Sequence, residues 1–186
     1  MQIEETKLKD CFIIKDTKFK DSRGYFFESF NQQKFNELTC QNTLFVQDNQ
    51  SKSSKGVLRG LHFQLGEFAQ AKLVRVLQGK VLDVAVDVRP NSKTFGQHVT
   101  VELTEDNENQ LFLPRGFAHG FVVLSDTATF FYKCDNYYNK SSEGGIIYND
   151  PVLGINWQLS DESLILSEKD LQLKTLKEIS QSLSFH

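Results

Sequence analysis

The sequence predicts an all-β fold, a sandwich or barrel of many short strands with a few short peripheral helices. Two observations carry that reading: apolar and polar residues alternate through the middle of the chain, and turn residues interrupt the alternation at short, even intervals. From the N-terminus, Gln32 to Leu38 reads as a short helix with Phe35 and Leu38 at helical spacing. Val81 to Val88 reads as a strand, with Leu82, Val84, Val86 and Val88 on one face and Asp83 and Asp87 on the other. Gln97 to Leu103 repeats the pattern through Val99, Val101 and Leu103, and Ala118 to Leu124 and Ala128 to Lys133 are further β-rich runs. Turn signals fall at Gly66, Gln78-Gly79, Pro90-Asn91-Ser92, Asp106-Asn107 and Ser125-Asp126. Asn139 to Gly145 reads as a mobile loop. Ser167 to Leu183 reads as a helix, with Leu171, Leu173, Leu176 and Ile179 on an apolar face and Ser167 and Asp170 as a capping-box-like start, so that the tail from about 171 to 186 is expected as a peripheral helix.

Two stretches narrow the fold. Gly56-Val57-Leu58-Arg59-Gly60-Leu61-His62-Phe63-Gln64 runs on to Lys72, and Pro114-Arg115-Gly116-Phe117-Ala118-His119 follows later. Their spacing resembles the two-part signature of the cupins, which selects a jelly-roll β-barrel. A metal cupin places His-x-His, a Glu and a further His in that pattern. Here Gln64 stands for the second His and Lys72 for the Glu, leaving His62 and His119. Two imidazoles beside an ammonium make a poor cation cage, because like charges repel. The same groups suit removal of a proton from carbon next to a carbonyl.

Composition limits the alternatives. A length of 186 residues fits one domain with its own core. The net charge of −3, with scattered arginines, argues against a nucleic-acid binder and suits recognition of one small anion. No apolar run approaches the roughly 20 residues that cross a membrane. The N-terminal Met1-Gln2-Ile3-Glu4-Glu5 does not read as a signal peptide. Cys11, Cys40 and Cys134 lack Cys-x-x-Cys spacing and read as reduced thiols of a cytoplasmic protein.

Eight motifs occur in order: Phe26-Phe27-Glu28, Val46 to Ser51, Leu58 to Gln64, Leu113 to Phe121, Tyr132-Lys133, Tyr137-Tyr138, Glu143-Gly144-Gly145 and Asn149-Asp150-Pro151. Together they resemble the dTDP-4-dehydrorhamnose 3,5-epimerases, cupin-fold enzymes of deoxysugar-nucleotide biosynthesis, from about Phe12 to Asp170. The resemblance implies a homodimer without metal or organic cofactor, acting on dTDP-4-dehydro-6-deoxy-D-glucose. It also implies the roles of individual residues. His62 is the base and Asp170 its carboxylate partner, although Asp170 also suits the first turn of a helix. Lys72 stabilises the enolate, and Tyr132 is the acid on the opposite face, where a core tyrosine is the competing reading. His119 binds the sugar. Arg59 fits the diphosphate, and Tyr138 fits stacking on thymine. Arg23, Glu28, Gln47, Asp48, Asn49, Glu143 and Lys169 are further substrate-binding positions. The rival readings are a metal-dependent cupin oxygenase, against which Gln64 and Lys72 speak, and a non-catalytic sugar- or nucleotide-binding module.

Overall fold

A computed structural model describes residues 1–185. In chain order the elements are β1 (Gln2–Glu5), β2 (Phe12–Lys15), β3 (Phe19–Asp21), β4 (Gly24–Phe26), α1 (Gln32–Thr39), β5 (Gln47–Ser54) and β6 (Leu58–Gln64). There follow β7 (Lys72–Gln78), β8 (Lys80–Asp87), β9 (His98–Thr104), β10 (Gln110–Leu113), β11 (Phe117–Val123), β12 (Thr127–Cys134), β13 (Glu143–Gly145), α2 (Glu168–Leu171) and α3 (Leu176–Ile179). One sheet has the order β1-β2-β10-β7-β12-β5 and the other β13-β6-β11-β8-β9; β3 and β4 form a separate hairpin. The two sheets face one another as a jelly roll, with antiparallel pairing throughout. The expected cupin-type architecture and the short helix from Gln32 are present.

Three apolar clusters explain the layers. The barrel interior holds Val74 and Val76 of β7, Val81 and Ala85 of β8, and Phe121 and Phe130 of β11 and β12. The outer face of the five-stranded sheet presents Leu58, Leu82, Val84, Val86 and Val122, and the C-terminal segment covers it with Leu153, Trp157, Leu176 and Leu183. Phe35 of α1 covers the outer face of the other sheet with Phe12, Leu73 and Phe112. Each such side chain contributes on the order of 2 kcal/mol when fully buried. In β8 the wholly apolar face therefore points outward, under the tail, and the aspartate face points into the barrel. Both faces are buried, and Asp83 and Asp87 are fully inaccessible.

The C-terminal segment corrects one expectation. Ser167 to Leu183 is not a single helix, and 171–186 is not one peripheral helix; His186 lies outside the described residues. The Ser167 hydroxyl caps α2 at the Asp170 amide, and that helix ends after one turn. Lys174 then bridges to Ile146, with the Ile147 amide donating to its carbonyl. Thr175 and Glu178 form a capping box that starts α3 anew. Backbone that pairs with a neighbouring strand cannot also fill a helical ladder, so the extended residues split the helix. Gly145 permits the contact, since a Cβ there would stand 2.8 Å from Leu173 Cδ1. The expected loop at Asn139 to Gly145 is also more ordered than its composition indicates. It contains a 3₁₀ turn at Lys140–Ser142 and then β13, paired with β6.

Candidate active site

A cleft of about 520 Å³ opens at one end of the barrel, lined by groups from both sheets and from the C-terminal segment. A smaller recess of about 150 Å³ shares Asn49, His62, Lys72 and Tyr132 with it and adds Gln47, Gln64, Tyr138 and Glu143. His62 on β6 and His119 on β11 are direct cross-strand partners. The two strands lie close here because they carry glycine: a Cβ on Gly60 would sit 2.6 Å from both the Gly120 Cα and the His119 carbonyl oxygen. Lys72 begins β7 and Tyr132 lies on β12, both in the facing sheet. The two imidazoles therefore occupy one wall, and the ammonium and the phenol occupy the other.

His62 Nε2 lies 2.7 Å from Asp170 Oδ1. A carboxylate can only accept, so the proton of this bond sits on Nε2 and Nδ1 is left free. Burial raises the Asp170 carboxyl, but the hydrogen bond and charge of His62, with the Ser167 hydroxyl and the Gly60 amide, outweigh it and hold it below its ordinary value. Asp170 thus occupies the first turn of α2 and also partners His62. Burial pushes the Lys72 ammonium down, against the pull of Cys134, Asp83 and Glu143. Burial also raises the Tyr132 phenol, which keeps it protonated. The Lys72 Nζ stands 5.9 Å from the Tyr132 ring centroid.

The remaining sequence-derived positions divide into three groups. Arg59 lines the cleft and bonds only the Ser53 hydroxyl, at 3.2 Å from Nε and Nη2, which leaves its charge without a carboxylate among the described residues. Tyr138, Glu143 and Lys169 form a chain at the rim: the Tyr138 hydroxyl donates to Glu143 Oε2 at 2.9 Å, and Lys169 Nζ lies 2.6 Å from the same oxygen. Gln47 and Asn49 face the recess, the Gln47 amide donating to Asn49 Oδ1 at 3.1 Å. Three positions lie outside the cleft of their own chain. Asp48 points to the outer face of β5 and pairs with Lys133 at 2.9 Å. Arg23 pairs with Asp21 on the hairpin, and Glu28 pairs with Lys34.

Gln64 takes a structural role. Its Nε2 donates to the Phe68 and Tyr137 carbonyls, and its Oε1 accepts from the Asn139 amide, so it anchors the loop before β13. The sequence reading passed over Asp83, whose Oδ2 accepts from His119 Nε2 at 2.9 Å behind the cleft wall. Its signal was an aspartate inside a strand with both faces apolar. A larger depression of about 940 Å³ lies elsewhere, beside Arg89 and Arg115. Those two cations are already paired, with Asp87 and Asp10 and with Asp135.

Residues 5–178 match the protein family described as dTDP-4-dehydrorhamnose 3,5-epimerase. An Escherichia coli (strain K12) protein of that name is 53% identical over 179 residues, 96% of each chain. The crystal structure of dTDP-4-dehydrorhamnose 3,5-epimerase from Elizabethkingia anophelis NUHP1 is 58% identical, covers 96% of this chain and 97% of its own, and superposes with a TM-score of 0.93. That of a dTDP-6-deoxy-D-glucose-3,5-epimerase from Legionella pneumophila Philadelphia 1, in complex with dTDP-4-keto-L-rhamnose, is 47% identical, covers 100% and 98%, and gives a TM-score of 0.94.

Proposed function

The chain belongs to the dTDP-4-dehydrorhamnose 3,5-epimerase family, and from that premise we propose how its cleft divides the work. The enzyme is an isomerase that inverts C3 and C5 of dTDP-4-dehydro-6-deoxy-D-glucose, giving dTDP-4-dehydro-L-rhamnose for dTDP-L-rhamnose biosynthesis. The C4 ketone acidifies the C–H bonds on both neighbouring carbons. Inversion needs a base on one face of the ring, an acid on the other, and a positive group at the oxygen that gains charge between them.

The observation that carries the assignment is the placement of these groups on opposing sheets. His62 takes the proton on Nδ1, and Asp170 holds the tautomer and stabilises the imidazolium, the role a carboxylate plays in other His–Asp pairs. Tyr132 returns a proton from the facing wall. A phenol raised by burial is a weak acid, but an enolate is basic enough to accept from it. Lys72 meets the C4 oxygen; removing one such group costs about a hundredfold or more in rate. The depressed proton affinity of Lys72 is relieved once that anion forms beside it. His119 binds the sugar, and Arg59 offers its unpaired guanidinium to the diphosphate. Gln47, Asn49, Tyr138, Glu143 and Lys169 line the nucleotide end.

Homodimerisation accounts for the positions outside the cleft. The β3–β4 hairpin exposes 64% of Phe19 and 69% of Phe26, with Arg23 at its tip. An apolar hairpin of this kind fits a second copy, whose cleft would receive Arg23 and Glu28. Asp48 stays on the outer face, paired with Lys133. The three free cysteines accord with a cytoplasmic protein. The test is proton NMR in deuterium oxide with dTDP-4-dehydro-6-deoxy-D-glucose. Deuterium is expected at both C3 and C5. Exchange at C3 alone would make the protein a mono-epimerase, and exchange at neither would leave a binding module.

A further inference from the structure

Asp83 is completely buried, and only one of its oxygens has a partner. Oδ2 accepts from His119 Nε2, while Oδ1 is equally inaccessible and has no hydrogen bond among the described residues. A desolvated carboxylate with an empty oxygen is expensive unless cations compensate it. Two potential cations lie around it. His119 is one; Lys72 is the other, since its proton affinity, depressed by burial, is drawn back up in part by Asp83. Asp83 does not line the cleft, whereas His119 and Lys72 both do.

His119 is built like His62. Each gives Nε2 to a buried aspartate, at 2.9 Å for His119 and 2.7 Å for His62, and each keeps Nδ1 as its remaining polar atom. The His119 ring is further fixed by stacking on Phe130, with centroids 5.9 Å apart and 21° between the planes. A neutral ring in this arrangement presents a bare Nδ1, which can only accept. With Nδ1 also carrying a proton the ring becomes a donor there, and the carboxylate bonded to Nε2 stands behind it as the counter-charge.

Resting on the epimerase reading of the cleft, we propose that Asp83 is a positioning residue for the reaction. From behind the wall it fixes the His119 ring and supplies the counter-charge that lets His119 and Lys72 meet the C4 oxygen as cations. When His62 takes the proton from carbon, the C–H electron pair moves into the enolate and charge collects on that oxygen. His119 and Lys72 share it through hydrogen bonds until carbon is reprotonated. No proton passes through Asp83, and Asp83 touches no substrate atom.

Asp83→Asn keeps the volume and an oxygen that can accept from Nε2–H, but removes the charge. The expected result is a fall in kcat of about tenfold or more, with KM and dTDP affinity within about threefold. His119→Gln tests the route. If Asp83 acts in part through His119, the double variant Asp83→Asn/His119→Gln loses less activity than the product of the two single losses. Wild-type kcat in Asp83→Asn, or fully additive losses in the double variant, overturns the proposal. Nitrogen-15 shifts of histidine-labelled wild-type protein need no variant: a proton on His119 Nε2 is expected, and a bare Nε2 overturns the assignment. If the wild-type protein exchanges no deuterium into the substrate, the epimerase reading fails instead, so the two failures are distinguishable.

Discussion

Two aspartates on the same strand and the same inward face, four residues apart, differ in how completely each is satisfied. Asp87, at the C-terminal end of β8, has every bond filled. Arg89 donates from its backbone amide, Nε and Nη2, and the Ser92 and Thr94 hydroxyls donate to Oδ2 at 2.5 and 2.6 Å. Burial alone would raise its carboxyl, and these donors overcome that and hold it low. Asp83, in the middle of the strand behind the cleft wall, has one bond and, among the described residues, an orphan oxygen. A saturated buried charge locks a loop; an unsaturated one behind a cleft wall leaves its field available to the groups in front of it. Burial of a charge does not by itself separate structure from function, but the list of its partners does.

Substitutions at the two aspartates should therefore give opposite signatures. The largest effect on stability is expected at Asp87→Asn, which leaves Arg89 facing an amide; breaking a buried pair in this way costs about 3–5 kcal/mol. Chemical denaturation should record that loss, while kcat of the folded fraction stays within about threefold of wild type. A kcat loss as large as that of Asp83→Asn would erase the distinction. Arg59→Ala, in the cleft, should weaken dTDP binding by about 1.5–3 kcal/mol, the scale of a charge-assisted hydrogen bond, and leave stability within about 0.5 kcal/mol. Titration calorimetry and thermal unfolding report the two quantities separately, and unchanged affinity would remove the diphosphate role.

The smallest effect concerns acid. The folded pKa of Asp170 is depressed, so its contribution to stability is present above the unfolded value, near 3.9, and is lost as pH falls through the folded one. Asp170→Asn should flatten the decline in stability below about pH 4. Urea unfolding across that range checks the sign, and a decline as steep as that of wild type would contradict it.

Particular residues show which features the sequence could carry. Tyr132 was readable as inward because Ala128 and Phe130 share its phase, and both are buried. β5 offered no such guide. Its residues, Gln47-Asp48-Asn49-Gln50-Ser51-Lys52-Ser53-Ser54, are polar on both faces, so alternation could not say that Gln47 and Asn49 face in while Asp48 faces out. The Asp83–His119 contact joins residues 36 apart in the chain, and local pattern does not encode such pairs. In β8 the alternation was legible, but its direction was not, because the segment that covers the outer face, from Leu153 to Leu183, lies far downstream in the chain. The break in the tail depended on pairing between Lys174 and Ile146, which is likewise long-range.

His62, held by Asp170 on one wall of the cleft, is the group assigned to take the proton from carbon. The most direct measurement is the rate of deuterium entry at C3 and C5 of dTDP-4-dehydro-6-deoxy-D-glucose, comparing wild type with His62→Ala. Exchange at both carbons should fall by about a hundredfold or more while dTDP affinity changes by less than about threefold. Wild-type exchange at either carbon in the variant would contradict the assignment of the base.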